Sequence, residues 1–310
     1  MRQPWNAHIH LGIVHPMVFP ETLRGEGPIL ETVSKIAVDE FFGAIEVSWV
    51  KDPETRVKLG KLLEPTYLDV VFCGGPPILI QKLDMNSLNP AARRAAVKGV
   101  KELVDEAYTV GAKILITCSG PDPAQEKRGQ AKNLLIESLK EVCAYAEQKA
   151  NGYTLFVTLE NFDKEYDKKL LIGPTAEAVE IAEAVRGEHK NFGLTVDLSH
   201  LPLLKETPEE ALLTAKDYLE HVHIGNCVMA DRAHPLYGDQ HPSFGVKGGE
   251  NQVEDLVAFL RALKNIGYFG KKTATGLPVV SFEVKPSAGE TSEVVIASSK
   301  RVFLDAWAEL

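Results

Sequence analysis

The chain has 310 residues, 45% of them apolar, which is enough for one large globular core. Its 43 acidic and 34 basic side chains leave a formal charge of −9, which argues against a nucleic-acid partner, since such proteins carry a basic excess. Met1–Asn6 holds no apolar signal core and no run of apolar residues is long enough to span a bilayer, so a soluble, cytoplasmic protein with no membrane partner is expected. The cysteines, Cys73, Cys118, Cys143 and Cys227, form no Cys-x-x-Cys and no close pair, which speaks against a disulfide framework or a structural zinc site.

Short β-type runs alternate with longer helical patterns along the whole chain. Strands are predicted at Ala7–Val14, Ala44–Trp49, Leu68–Cys73, Lys113–Cys118, Thr154–Glu160, Phe192–Asp197, His221–Gly225 and Pro278–Val284. Between them, apolar residues spaced by three and four predict helices over Pro90–Val110, Gly129–Ala150, Thr175–Val185 and Gln252–Ile266. Start signals at Pro53-Glu54, Thr175–Glu177 and Thr207–Glu210 fit helix first turns. Eight such units predict a single-domain (β/α)8 TIM barrel over residues 1–310, which commonly needs about 250 residues plus insertions. An open doubly wound sheet would usually offer a glycine-rich nucleotide loop after the first strand, and none is present. The stretch 226–251 breaks the rhythm. A loop of that length after the seventh strand reads as a wall or lid of an active site.

Four predicted strands carry a polar residue at or close to their C-terminal end: Glu160, Asp197, His223 and Glu283. Side chains alternate along a strand, so Thr158 shares a face with Glu160, Thr195 with Asp197, His221 with His223 and Ser281 with Glu283. An unpaired carboxylate at the tip of a buried strand is costly, and a metal ion is one of the few good partners. Three carboxylates and an imidazole suit Mn²⁺, Mg²⁺ or Co²⁺ better than a thiolate-seeking ion. An ion there would polarise a carbonyl and acidify the adjacent C–H, with the two glutamates moving the proton as acid and base.

Glu160, Asp197 with His200 in Asp-Leu-Ser-His, His223 in His-Val-His, and Glu283 resemble the xylose-isomerase-like barrel superfamily, and within it the ketose 3-epimerases. The resemblance implies one divalent metal, Mn²⁺ foremost with Mg²⁺, Co²⁺ or Zn²⁺ as alternatives, on Glu160, Asp197, His223 and Glu283. It implies Glu160 and Glu283 as the catalytic proton-transfer pair, His200 on substrate oxygens, and a small-molecule sugar or sugar derivative epimerised or isomerised through an enediolate. Relatives of this type often form homo-oligomers. A keto-sugar dehydratase or lyase would share the metal and the first step. One departure is that those epimerases carry an arginine shortly after the strand-seven histidine, where this chain reads Val228-Met229. Arg232 and His234 are the nearest substitutes.

More distant alternatives leave specific gaps. Asp239-Gln-His241 resembles an element of apurinic-site endonucleases, whose zinc site also needs histidines on the second and third strands, absent from Glu46–Trp49 and Phe72–Gly75. His8-Ile-His10 resembles the opening of metal-dependent amidohydrolases, but the fourth, fifth and eighth strands end on Cys118, Glu160 and Glu283 instead of that pattern. A barrel that has lost its chemistry would not be expected to keep both glutamates. In the epimerase reading, Asp239 and His241 line the substrate pocket, and His10 and His15 face its mouth. Trp49 either stacks on a sugar or packs in the core, and Lys285 either binds a substrate oxygen or forms a salt bridge. The runs Glu102–Glu106 and Asp163–Lys169 read as solvated faces, and Gly74–Pro77 as a loop.

Overall fold

The alternation of strand and helix patterns closes into a barrel in the computed structural model, which describes residues 4–310; the reading of Met1–Gln3 lies outside them. The strands are β1 (His10–Ile13), β2 (Ala44–Val47), β3 (Asp69–Cys73), β4 (Ile114–Cys118), β5 (Phe156–Glu160), β6 (Phe192–Asp197), β7 (Leu219–Gly225) and β8 (Val279–Glu283). All their pairings are parallel, in the order β1-β8-β7-β6-β5-β4-β3-β2. The seam between β1 and β2 is closed by a parallel bridge from Val14 to Glu46 and by the Gly43 amide, which donates to the Leu11 carbonyl at 3.0 Å.

The outward faces of the strands are apolar. Phe192, Leu194 and Val196 of β6 are buried against the helices, each contributing about 1.5–3 kcal/mol of transfer free energy. The inward faces stack in layers, as barrel interiors do. The lower region is apolar, built from Ala44, Val71, Ile114, Ile116 and Val279 against Phe156. Above it Gly12, Glu46, Thr158, Thr195, His221 and Ser281 form a crowded polar layer; a Cβ at Gly12 would lie 2.5 Å from Ser281 Oγ, so only glycine fits there. The Thr158 and Thr195 hydroxyls share a hydrogen bond of 2.8 Å. At the C-terminal rim stand Cys73, Cys118, Glu160, Asp197, His223 and Glu283.

A bulge sets the phase of β7. Leu194 pairs with Leu219 but Thr195 pairs with His221, so Glu220 is the extra residue. The slip brings His223 opposite Asp197 and keeps both β7 histidines facing inward.

The helices Pro90–Thr109, Arg128–Lys149, Thr175–Arg186 and Val253–Asn265 lie within a residue of their predicted bounds. Asn89 caps the first by accepting from the Ala91 and Ala92 amides, and Thr207 with Glu210 forms a capping box for Pro208–Ala215. Two local expectations change. Gly74–Pro77 is not a plain loop: a short helix, Gly75–Ile80, begins there with prolines in its first turn. The first strand is shorter than Ala7–Val14, because its ladder with β8 begins only where His10 donates to Pro278. Among the described residues no helix is long and apolar enough to cross a membrane.

Candidate active site

Each rim residue ends, or nearly ends, a strand, so four neighbouring strands deliver Glu160, Asp197, His223 and Glu283 to one point. One ligand atom from each lies within 4.8 Å of all the others, and all four residues are buried. His223 Nδ1 stands 3.1 Å from Glu160 Oε1 and 2.8 Å from Glu283 Oε2. Asp197 is held by the turn it starts, accepting from the Ser199 amide at 2.8 Å and the Ser199 hydroxyl at 2.5 Å. Glu283 Oε2, although close to Nδ1, makes no hydrogen bond of good geometry and is buried. Three carboxylates gathered out of water need a cation, and this donor set fits a divalent one.

The two glutamates are driven apart. Burial raises the Glu160 carboxyl above its ordinary range despite His223. Burial also pushes Glu283 upward, but His241 and His223 outweigh it and hold that carboxyl at about 2. Unequal environments on two facing carboxyls are the arrangement from which acid and base roles arise.

Beneath the rim lies a residue that the reading of strand ends missed. Glu46, fully buried on β2, sits 2.6 Å from His221 Nε2 and 3.1 Å from His223 Nε2. Burial would raise its carboxyl, yet the two histidines hold it well below the usual range. The signal was present: a glutamate inside Ala-Ile-Glu-Val faces the same cost as one at a strand tip.

Beside the rim a second cluster forms around the loop after β7. His200 Nδ1 is 2.9 Å from the Asn161 carbonyl, and its Nε2 lies 3.3 Å from Asp239 Oδ1, which also meets His241 Nε2 at 2.8 Å. Burial lowers both imidazoles, but Asp239 leads the opposing charges that raise His200 to about 10 and His241 to about 9. His241 adopts the left-handed region, φ 50°, with its carbonyl accepting the Lys285 amide at 2.7 Å. The loop's ends are pinned from inside, where Asn251 donates to the Leu198 and Gly225 carbonyls at 3.1 and 3.0 Å.

The run Asp163–Lys169 is not a solvated face. Asp163 is buried and gathers the amides of Tyr166, Asp167 and Lys168 into a turn. That turn sends Lys168 to Asp239, with Nζ 3.0 Å from Oδ2 and 2.8 Å from the carbonyl. Glu106, in the other acidic run, is also buried and pairs with Arg56 at 2.8 Å.

A cavity of about 200 Å³ opens over this rim. Its polar lining includes Glu160, Lys168, Asp239, His241, Glu283 and Lys285, and its apolar lining includes Met17, Leu23, Leu79, Ile80 and Phe162. Of the further residues singled out in the sequence, Asp239, His241 and Lys285 therefore reach the pocket, and His200 stands behind it. His10 does not reach it. It faces inward but at the N-terminal end of β1, 2.5 Å from Asp69, so it belongs to the floor of the barrel. His15 is buried 2.8 Å from the Thr32 hydroxyl, and burial lowers it to about 3. Trp49 supports the wall, its indole N–H donating to the Leu23 carbonyl at 3.1 Å. Arg232 is exposed and His234 accepts from the Leu236 amide, while Lys168 and Lys285 are the lysines that line the cavity.

The sequence profile described as a xylose isomerase-like TIM barrel matches residues 37–288. A search of curated proteins finds no match. Among solved structures, a D-tagatose 3-epimerase-like protein is 18% identical with a TM-score of 0.71, covering 97% of this chain and 99% of its own. The IolI protein, solved with a bound zinc atom, is 18% identical with a TM-score of 0.72 and the same coverage. The 3-keto-D-glucoside 4-epimerase YcjR from E. coli is 18% identical with a TM-score of 0.67, covering 96% of this chain and 99% of its own. At that identity the likeness speaks for the fold, while the match to the profile spans most of the chain: this protein belongs to the xylose isomerase-like TIM-barrel family.

Proposed function

We propose that the protein is a metal-dependent isomerase or epimerase of a small sugar or sugar derivative, acting by proton transfer at the carbon beside a carbonyl. The observation that carries this reading is the pair Glu160 and Glu283, buried at 3.1 and 2.8 Å from the same nitrogen of His223 and open to one cavity. Glu160, Asp197, His223 and Glu283 would hold one divalent ion, Mn²⁺ foremost. Bound there, it would polarise the substrate carbonyl and acidify the neighbouring C–H.

The chain's own residues do the rest. Of Glu160 and Glu283, which both line the cavity, one takes the proton and the other returns it. For an epimerase the two act on opposite faces of the carbon. Lys168, Asp239 and His241 orient the substrate's hydroxyls, and Lys285 offers a further positive contact. The apolar wall from Met17 to Ile80 has no hydrogen-bonding side chain, which favours a sugar whose far end is poor in free hydroxyls. D-tagatose and a 3-keto-D-glucoside, after which two of the similar structures are named, belong to the same chemical class.

A dehydratase or lyase acting on a keto-sugar, sharing the metal and the first step, is the second reading, since Val228-Met229 stands where the ketose 3-epimerases carry an arginine. Both work as cytoplasmic enzymes on small molecules, without nucleic acid, and a homo-oligomer is part of the proposal. The test is metal content together with deuterium uptake from D₂O on a panel of keto-sugars. About one equivalent of Mn²⁺ and exchange at a carbon beside the carbonyl supports the proposal. Exchange followed by loss of water or a fragment selects the lyase reading, and no exchange on any sugar sinks both.

A further inference from the structure

We propose that Glu46 is the positioning residue of the metal site, fixing the ring orientation of His223 and with it the cluster's affinity for a divalent ion. The inference rests on reading Glu160, Asp197, His223 and Glu283 as that site. Glu46 enters from the far side of the barrel, on β2, and lies directly below the rim. Its carboxylate can only accept hydrogen bonds, so both Nε2 atoms that approach it, of His221 at 2.6 Å and of His223 at 3.1 Å, must carry the proton. A neutral His223 protonated on Nε2 has its lone pair on Nδ1, the atom that faces Glu160 and Glu283. A histidine ligand whose other nitrogen donates to a carboxylate is held in one ring orientation and made a stronger donor.

His221 completes the device. It is fully buried, its Nε2 is committed to Glu46, and its Nδ1 has no hydrogen-bond partner among the described residues. Its role is to hold Glu46 in place. The alternating register of β7 puts it one layer below His223.

The test is divalent-metal binding, measured by titration calorimetry with Mn²⁺ and by metal analysis after dialysis, on wild type, Glu46→Gln, Glu46→Asp and His221→Asn. Glutamine can accept from one Nε2–H while its amide opposes the other, so Glu46→Gln should bind Mn²⁺ about 10–100-fold more weakly. Glu46→Asp restores the charge and should recover part of the loss, and His221→Asn should weaken binding less than Glu46→Gln. In the zinc-loaded protein, the Nε2-bound proton of His223 should be visible by ¹⁵N-edited NMR in wild type and altered in Glu46→Gln. A purely space-filling role would lower thermal stability and leave both readouts unmoved. Wild-type affinity in Glu46→Gln overturns the inference, as does wild-type affinity in both Glu46→Asp and His221→Asn if the glutamine variant does not fold. A wild-type protein that binds no divalent metal overturns the underlying site as well.

Discussion

Lys168 reaches from the loop after β5 to Asp239 in the loop after β7, its ammonium 3.0 Å from the carboxylate and 2.8 Å from the backbone carbonyl. Asp167 reinforces the clasp by accepting from the Asp239 amide at 3.1 Å and the Gln240 side chain at 3.0 Å. The two loops that overhang the glutamates are thus tied to each other as well as to the barrel.

Cutting that tie tests it. Lys168→Met leaves Asp239 with its two histidines only. We expect a stability loss of about 1–3 kcal/mol in urea unfolding, the usual cost of a stranded buried acceptor. Loosening of His241 and Asp239 should lower kcat/KM about 10–100-fold, since small misplacement of orienting groups is costly. Unchanged values in both assays would mean the clasp is ornamental.

Glu283→Gln keeps the shape of the rim but removes the group held ionised. Turnover should fall by about 10²–10⁴-fold, the usual contribution of a positioned base, while metal stays bound. Glu160→Gln should cost a similar factor. Steady-state kinetics beside metal analysis separates lost proton transfer from lost ligation, and near-wild-type turnover in either variant would remove that residue from the mechanism.

Metal removal should show in stability as well as activity. A ligand that binds only the folded state at a hundredfold its Kd stabilises by about 2.7 kcal/mol, so chelation should lower the unfolding midpoint of the wild type. Asp197→Ala, which lacks one of the four donors, should be insensitive to the same chelator. A metal-dependent midpoint retained in Asp197→Ala would count against the assigned ligands.

The buried His15 gives the protein an acid-side weakness. Its folded pKa is depressed to about 3 from an ordinary 6.5, so below pH 6.5 the unfolded chain binds a proton that the folded one refuses. The stability tied to the neutral ring is complete above 6.5 and is lost progressively as pH falls toward 3. His15→Gln, which cannot titrate, should flatten this part of the pH–stability curve in denaturant unfolding at pH 4–7. An unchanged slope would assign the acid sensitivity to other groups.

The barrel was legible because its signals are periodic: strand runs and helical stripes recur, and the helix bounds fall within a residue. The rim was legible for a related reason, since alternation fixes which side of a strand a residue faces. Alternation does not say how far along the barrel axis a residue sits, which is why His10 shares the inward face but lies at the opposite end. Glu46 escaped because attention to strand tips passes over a strand's middle. Lys168 escaped for another reason, since Asp163–Lys169 has the composition of a solvated run and only the buried carboxylate of Asp163 turns it inward.

The polar and apolar lining of the cavity come largely from different segments of the chain. The residues proposed as ligating and proton-transfer groups come from β5 to β8, whereas most of the apolar lining comes from the segments after β1 and β3. Drift confined to the segments around Met17–Leu23 and Pro76–Ile80 can remodel what enters the cavity while leaving Glu46 and the rim carboxylates in place, so those segments are the natural unit to graft when substrate preference is exchanged between related barrels.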